Sequence, residues 1–139
     1  MQIKRLSADN IETMRRLSRQ FKNAEIDQAA AKRFLDDPAN YLIVCLEGDE
    51  VAGFVLAYAL RRIDIDKNMI YIHEVDVDQK HRQQGCATKM IEFTKAIGKQ
   101  QNAHCVFVIT NRSNEAAMAL YRKMGGVEAA ADDVVFDFC

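Results

Sequence analysis

The sequence predicts a single mixed α/β domain over residues 1–139, with a central, mostly antiparallel sheet flanked by about four helices. Three observations carry that expectation. Two segments rich in Val, Ile, Leu and Tyr are joined by hairpin chemistry, two stretches near the N-terminus repeat apolar residues at helical spacing, and the second half contains a βαβ run. Met1–Leu6 alternates apolar and polar side chains as a strand does, and Ser7 offers an N-cap to a helix with Ile11, Met14, Leu17 and Phe21 on one face. A second helix, Asp27–Asp36, carries Ala30, Phe34 and Leu35 together and stops before Pro38, the only proline, which restricts the residue preceding it. Tyr41–Leu46 and Val51–Leu60 read as antiparallel strands around the turn Glu47-Gly48-Asp49-Glu50. Beyond the charged connection Arg61–Asn68, Met69–Val77 is a strand ended by the polar run Asp78–Gln84. A long helix follows with Ala87, Met90, Ile91, Thr94 and Ile97 on one face, and Gly98 weakens it near its end. The strand Cys105–Thr110 completes the crossover. Ser113 and Asn114 cap a last helix that turns Ala117, Leu120, Tyr121 and Met124 inward and stops at Gly125-Gly126, and Val134–Phe138 is expected to close the sheet.

Composition excludes several function classes. Nineteen Lys and Arg against twenty Asp and Glu give a net charge of −1, so there is no field to hold nucleic acid or an anionic membrane. No basic segment leading into an apolar run and cleavage site opens the sequence, and no apolar stretch is long enough to span a bilayer, so a soluble cytoplasmic protein is expected. Cys45, Cys86, Cys105 and Cys139 form no C-x-x-C pair, and His73, His81 and His104 lack ligand partners at helical spacing, so no metal site is implied and the thiols are expected to be reduced.

The sharpest local signal is His81-Arg82-Gln83-Gln84-Gly85-Cys86-Ala87-Thr88, where a strand hands over to a long helix. The first amides of a helix have no internal partner and lie at the positive end of its dipole, so they suit an anion such as a pyrophosphate. Gly85 and Ala87 are small enough to let phosphates approach the backbone, and Arg82 adds a charged donor. Without its position, the same string is an ordinary capped turn.

In that position the residues resemble the acetyl-CoA signature of the GCN5-related N-acetyltransferases, [QR]-x-x-G-x-[GA] after a strand ending like Val75-Asp76-Val77. A second stretch, Asn114-Glu115-Ala116-Ala117-Met118-Ala119-Leu120-Tyr121-Arg122-Lys123-Met124-Gly125, resembles that family's N-x-x-A-x-x-L-Y-x-K-x-G. The run Tyr71–Val77 into His81-Arg82 is similar to the type I aminoglycoside (gentamicin) 3-N-acetyltransferases. Two departures are Gly126, where many members carry an aromatic residue, and Gln83, commonly glycine. The resemblance implies a sheet splayed after its fourth strand and an acetyl-CoA co-substrate. It places the pantetheine along the backbone of Val75, Asp76 and Val77, and the pyrophosphate on Arg82, Gln83, Gln84, Gly85, Cys86, Ala87 and Thr88. Asn114, Ala117 and Tyr121 then border the pantetheine and the thioester sulfur.

Acetyl transfer to an amine needs a base for the ammonium proton and a proton for the departing thiolate. Glu74 is the expected base. It shares a strand face with Asp76, opposite Val75 and Val77, and mutual repulsion with partial burial is expected to raise at least one of the two carboxyls. Both also read as a solvated strand face. Tyr121 reads as a core tyrosine or, in its motif, as the acid toward sulfur. Cys86, His73 and His81 read as structural residues, so direct transfer without an acetyl-enzyme is expected. The acceptor is expected to be a small cationic amine, foremost an aminoglycoside, with Asp64, Asp66, Asp78 and Asp132-Asp133 rimming the cleft and antibiotic resistance as the role. Alternatives are a protein or metabolite amine and a non-catalytic acyl-CoA-binding regulatory module. Sheet-edge pairing through Val134–Phe138 suggests a homodimer.

Overall fold

The computed structural model describes all residues, 1–139. Contacts divide the chain into two compact units, Met1–Ile109 and Thr110–Cys139. The first holds β1 (Gln2–Arg5), α1 (Ile11–Lys22), α2 (Gln28–Asp36), β2 (Asn40–Glu47), β3 (Glu50–Arg61), β4 (Asn68–Val77), α3 (Cys86–Gln100) and β5 (Cys105–Val108). The strands lie in chain order in one sheet, antiparallel from β1 to β4, with β5 parallel to β4 across α3. No helix is long and apolar enough to cross a membrane.

Residues on the two faces of this sheet meet different helices. On one face, Leu42 and Val44 of β2 and Val51 and Phe54 of β3 join Leu6 and Leu17 in a buried cluster, with Met14, Phe21, Phe34 and Leu35 packed against it from α1 and α2. Phe21 and Phe54 meet edge to face with ring centroids 5.1 Å apart, a pairing worth about 1 kcal/mol beyond its buried area, and it fixes the C-terminal turn of α1 over β3. On the other face, α3 lays down the stripe Cys86, Met90, Thr94 and Gly98 with Ile91. Met90, Ile91 and Thr94 are as expected, Cys86 and Gly98 extend the stripe at its two ends while Ala87 and Ile97 are half-buried, and the helix stops two residues after Gly98. A Cβ on Gly98 would stand 2.7 Å from Val106 Cγ2, so the glycine lets α3 lie close on the sheet. Ala31, not Ala30, is the fully buried alanine of α2. Ser7 caps a short 3-10 turn, Ala8–Asn10, that leads into α1, with Ser7 N–H donating to Asn10 Oδ1 at 3.0 Å.

In the second unit, α4 (Glu115–Lys123) ends in a Schellman turn: Gly126 N–H donates to Tyr121 O and Gly125 N–H to Arg122 O, with Gly125 at φ +85°. Gly126 is thereby explained, since a Cβ there would lie 2.9 Å from Tyr121 O. The strand expected at Val134–Phe138 is not formed. Val134, Val135, Phe136 and Phe138 are 70–98% exposed, and the unit contains no other strand to take the ladder hydrogen bonds that an extended segment needs. The edge invoked for a homodimer is therefore missing.

Gly53 sits where β3 passes beneath the start of α3. A Cβ on it would meet Asp76 O at 2.7 Å, Met90 Cε at 3.1 Å and Cys86 Sγ at 3.2 Å. The Gly53→Ala variant is expected to lose about 2 kcal/mol through overpacking, lowering Tm by several degrees in a thermal melt followed by circular dichroism. An unchanged Tm would show that the β3–α3 contact is looser than described.

Candidate active site

The register of β4 changes at one residue, and the site depends on it. Ala57 of β3 stands opposite Ile72 and Leu56 opposite Glu74, leaving His73 as an extra residue in a β-bulge. Ile70, Ile72, Glu74 and Asp76 would share a face in an unbroken strand. With the bulge, Ile70 and Ile72 face α3, whereas Glu74 and Asp76 lie opposite Leu56 and Phe54 on the α1 and α2 side. Val75 and Val77, opposite Val55 and Gly53, take the α3 face. A Glu74 left in phase with Ile72 would enter an apolar core with no partner.

β5 covers only the first part of β4. Its partners are Met69–Ile72, so the backbone from His73 to Val77 has no strand on that side. The sheet is open there, as expected from the splay. Asp78 N–H donates to Ala52 O across the β3 side, so by alternation the peptide groups of Val75 and Val77 point outward into the opening. Those of Val77 are held by side chains. Its N–H donates to Asp76 Oδ1 at 2.8 Å, and its carbonyl accepts from Arg82 Nε at 3.2 Å.

The two carboxylates thus have separate partners and do not simply confront one another. Asp76 turns back onto Val77, and Glu74 accepts a hydrogen bond from Lys22 Nζ, the last residue of α1. Beside Glu74 runs an aromatic wall. Tyr71 stacks on Phe107 with centroids 5.1 Å apart, Tyr71 Oη lies 3.0 Å from His73 Nδ1, and the Tyr58 ring is 6.0 Å from His73. Burial first, and then the Glu74 charge, push the Tyr58 phenol up. Lys22, Tyr58 and Phe107 carry no local signal in the sequence, because each reads as an ordinary helix end or strand residue, and Tyr71 is marked only as the start of the run Tyr71–Val77. The wall they form exists only through cross-strand pairing.

At the start of α3 the loop Arg82–Gly85 is exposed, and Gly85, at φ +81°, is the N-cap. The first internal hydrogen bond runs from Lys89 N–H to Gly85 O, and no side chain caps the helix. By contrast α2 and α4 are capped by Asp27 and Asn114, whose oxygens accept from Ala30 and Ala117. A Cβ on Gly85 would point into open space. Gln83 takes φ +62°, the left-handed conformation that favours glycine. The first residues of the helix, Cys86, Ala87 and Thr88, divide their work: Cys86 is buried in the core, Ala87 is half-buried and Thr88 is exposed. The Cys86 thiol is pushed up to about 12 by burial, then by its hydrogen bond with Cys45. It is therefore no nucleophile near neutral pH.

Of the carboxylates expected at the rim, Asp64 and Asp66 precede β4 and Asp78 follows it, at opposite ends of the strand; Asp64 is held by Arg62 at 2.6 Å and Asp66 by Arg61 at 2.9 Å. Asp78 caps a short turn through Lys80 N–H and accepts from Gln20. In the second unit, Asp132 and Asp133 are exposed, Ala117 is half-buried on α4, and burial raises the half-buried Tyr121 phenol above its usual value.

A sheet opened beside a bulge is followed here by a helix that starts without a side-chain cap. The model of the acetyltransferase (GNAT) family matches residues 10–126, and the chain belongs to that family. It is an acetyltransferase. A solved aminoglycoside acetyltransferase from an uncultured soil metagenomic sample is 27% identical, with a TM-score of 0.88 over 99% of this chain and 97% of that one. A soil-metagenome aminoglycoside acetyltransferase in complex with sisomicin is 23% identical, with a TM-score of 0.86 over 99% of this chain and 94% of its own. An aminoglycoside N-acetyltransferase in complex with CoA, 17% identical with a TM-score of 0.77 over 99% and 95%, shares the fold. A comparison with curated proteins found no match.

The left-handed Gln83 gives a test of the loop. Gln83→Gly is expected to relieve strain and stabilise the protein by up to about 1 kcal/mol, or about 3 °C in Tm. A fall in Tm would mean that the Gln83 side chain contributes contacts outweighing the strain.

Proposed function

We propose that this acetyltransferase moves an acetyl group from acetyl-CoA directly to a primary amine of a small cationic acceptor, an aminoglycoside modified at its 3-amino group, as an antibiotic resistance enzyme of the cytoplasm. The observation that carries the reading is the Glu74 carboxylate, which already holds an ammonium on the open half of β4. The 27% identical aminoglycoside acetyltransferase supports the substrate class. In this reading residues 1–139 act as one catalytic domain.

The outward peptide groups of Val75 and Val77 would hold the pantetheine amides, with Val77 exchanging its Asp76 and Arg82 partners for them. The pyrophosphate would rest on the amides of Gln83, Gln84, Gly85, Cys86 and Ala87, flanked by Arg82 and the Thr88 hydroxyl. Asn114, whose Oδ1 caps α4, has its amide NH2 left to donate, beside Ala117 and Tyr121. When bound, acetyl-CoA supplies an activated carbonyl and a thiolate leaving group. Glu74 Oε2 takes the proton of the acceptor ammonium, so that a neutral amine attacks. Asp76, released from Val77 N–H when the pantetheine takes that group, is a second carboxylate beside Glu74 on the same strand face, available to the cation. Tyr121, kept protonated by burial, is the donor assigned to the departing sulfur. The Tyr58, Tyr71 and Phe107 wall offers apolar faces to the body of the acceptor.

Pairing of Asp64 and Asp66 with Arg62 and Arg61 leaves fewer free acceptors for a polycation, and favours a second reading in which the acceptor is a monoamine on a protein or metabolite.

Release of CoA thiol, measured over gentamicin, other aminoglycosides, spermidine and lysine-bearing peptides, separates the two readings. Turnover confined to gentamicin-type drugs is the expected result, and turnover of peptides alone would overturn the aminoglycoside assignment. Glu74→Gln is expected to lower kcat by roughly 10²-fold with acetyl-CoA binding retained, and Tyr121→Phe by about tenfold or more. Unchanged kcat in either variant would remove that residue from the mechanism.

A further inference from the structure

Lys22 is a feature of the site that the reaction does not use. It is the last residue of α1, placed by the edge-to-face packing of Phe21 on Phe54 and by Asn23, whose left-handed conformation, φ +50°, ends the helix. Its Nζ donates to Glu74 Oε2 and stands 5.9 Å above the centre of the Phe54 ring. A primary ammonium against a carboxylate and an aromatic face is also the chemistry of the acceptor.

We infer that Lys22 is an internal stand-in for the acceptor amine, a specificity-determining residue that occupies Glu74 at rest and that every acceptor must displace. This rests on the reading of Glu74 as the base. Both side chains keep contact with water, 46% exposed for Lys22 and 28% for Glu74, so the pair is weak enough to exchange. The exchange swaps one ammonium for another at the carboxylate and gains little Coulomb energy there. Affinity must then come from the rest of the acceptor, from the aromatic wall and from its further amines. Lys22 thereby raises the KM of any amine by the strength of its own bond to Glu74, and it holds back amines that bring nothing else.

Steady-state kinetics with gentamicin and with spermidine test this on the wild type, Lys22→Met, Lys22→Arg and Arg19→Met. Arg19 lies one turn earlier on the same helix and bonds to Glu12 and Glu25, so its removal deletes a positive charge without freeing Glu74. Lys22→Met is expected to lower KM for the turned-over amine by about threefold to fivefold, the range an exposed ion pair allows, with a smaller change in kcat. Lys22→Arg and Arg19→Met are expected to keep the wild-type KM. An unchanged KM in Lys22→Met, or an equal fall in Arg19→Met, overturns the inference, as does a rise in KM, which would make Lys22 a substrate contact. Retained turnover in Glu74→Gln sinks the base assignment whatever Lys22 does. If neither amine is a substrate of the wild type, the inference falls with the acceptor reading.

Discussion

One extra residue in β4 sets the geometry on which the rest of the site depends. A strand pairs its side chains with period two, so a single insertion exchanges the faces of everything beyond it. In this chain the exchange falls between Ile72, which closes the α3 core, and Glu74, which would otherwise be buried in it. The bulge coincides with the point where β5 ceases to pair, so the same few residues turn a carboxylate toward α1 and leave that edge of β4 without a strand neighbour. Neither feature would be useful alone.

The helices then divide the labour by how their ends are treated. α2 and α4 have their first amides satisfied by Asp27 and Asn114, as structural helices do. α3 forgoes this and begins on a glycine with no side chain, close against the sheet because Gly53 and Gly98 leave room for it. Packing thus holds the helix in place while its N-terminus carries no side-chain cap. The end of α1 is positioned by the Phe21–Phe54 pair, and the cation that follows Phe21 lies on the carboxylate exposed by the bulge.

Much of this was legible from local pattern. The hairpin of β2 and β3, the βαβ crossover and the loop from Arg82 to Thr88 are all local, and each depends on residues within a turn or two of one another. Glu74 and Asp76 were legible as a pair for the same reason, since alternation needs only the strand. Three things were not. Val134–Phe138 has strand composition, but a strand is a relation between two segments and its own unit offers no partner. Gly98 reads only as a residue that weakens the helix near its end, and the proximity of Val106 shows it to be a packing residue as well. The crowding expected between Glu74 and Asp76 is relieved by partners that lie elsewhere, Lys22 more than fifty residues away and the Val77 amide in the adjacent peptide group.

By itself the sequence determined the family, the order of the elements as far as α4 and the loop that starts α3, because hydrophobic period, glycine placement and helix starts are short-range properties. Only the tertiary structure decided which face of β4 the carboxylates occupy, which backbone groups remain open and which side chains stand around Glu74. Those follow from register and from contacts across the sheet, and a one-residue bulge alters them without altering the apolar and polar pattern from which the strand is read.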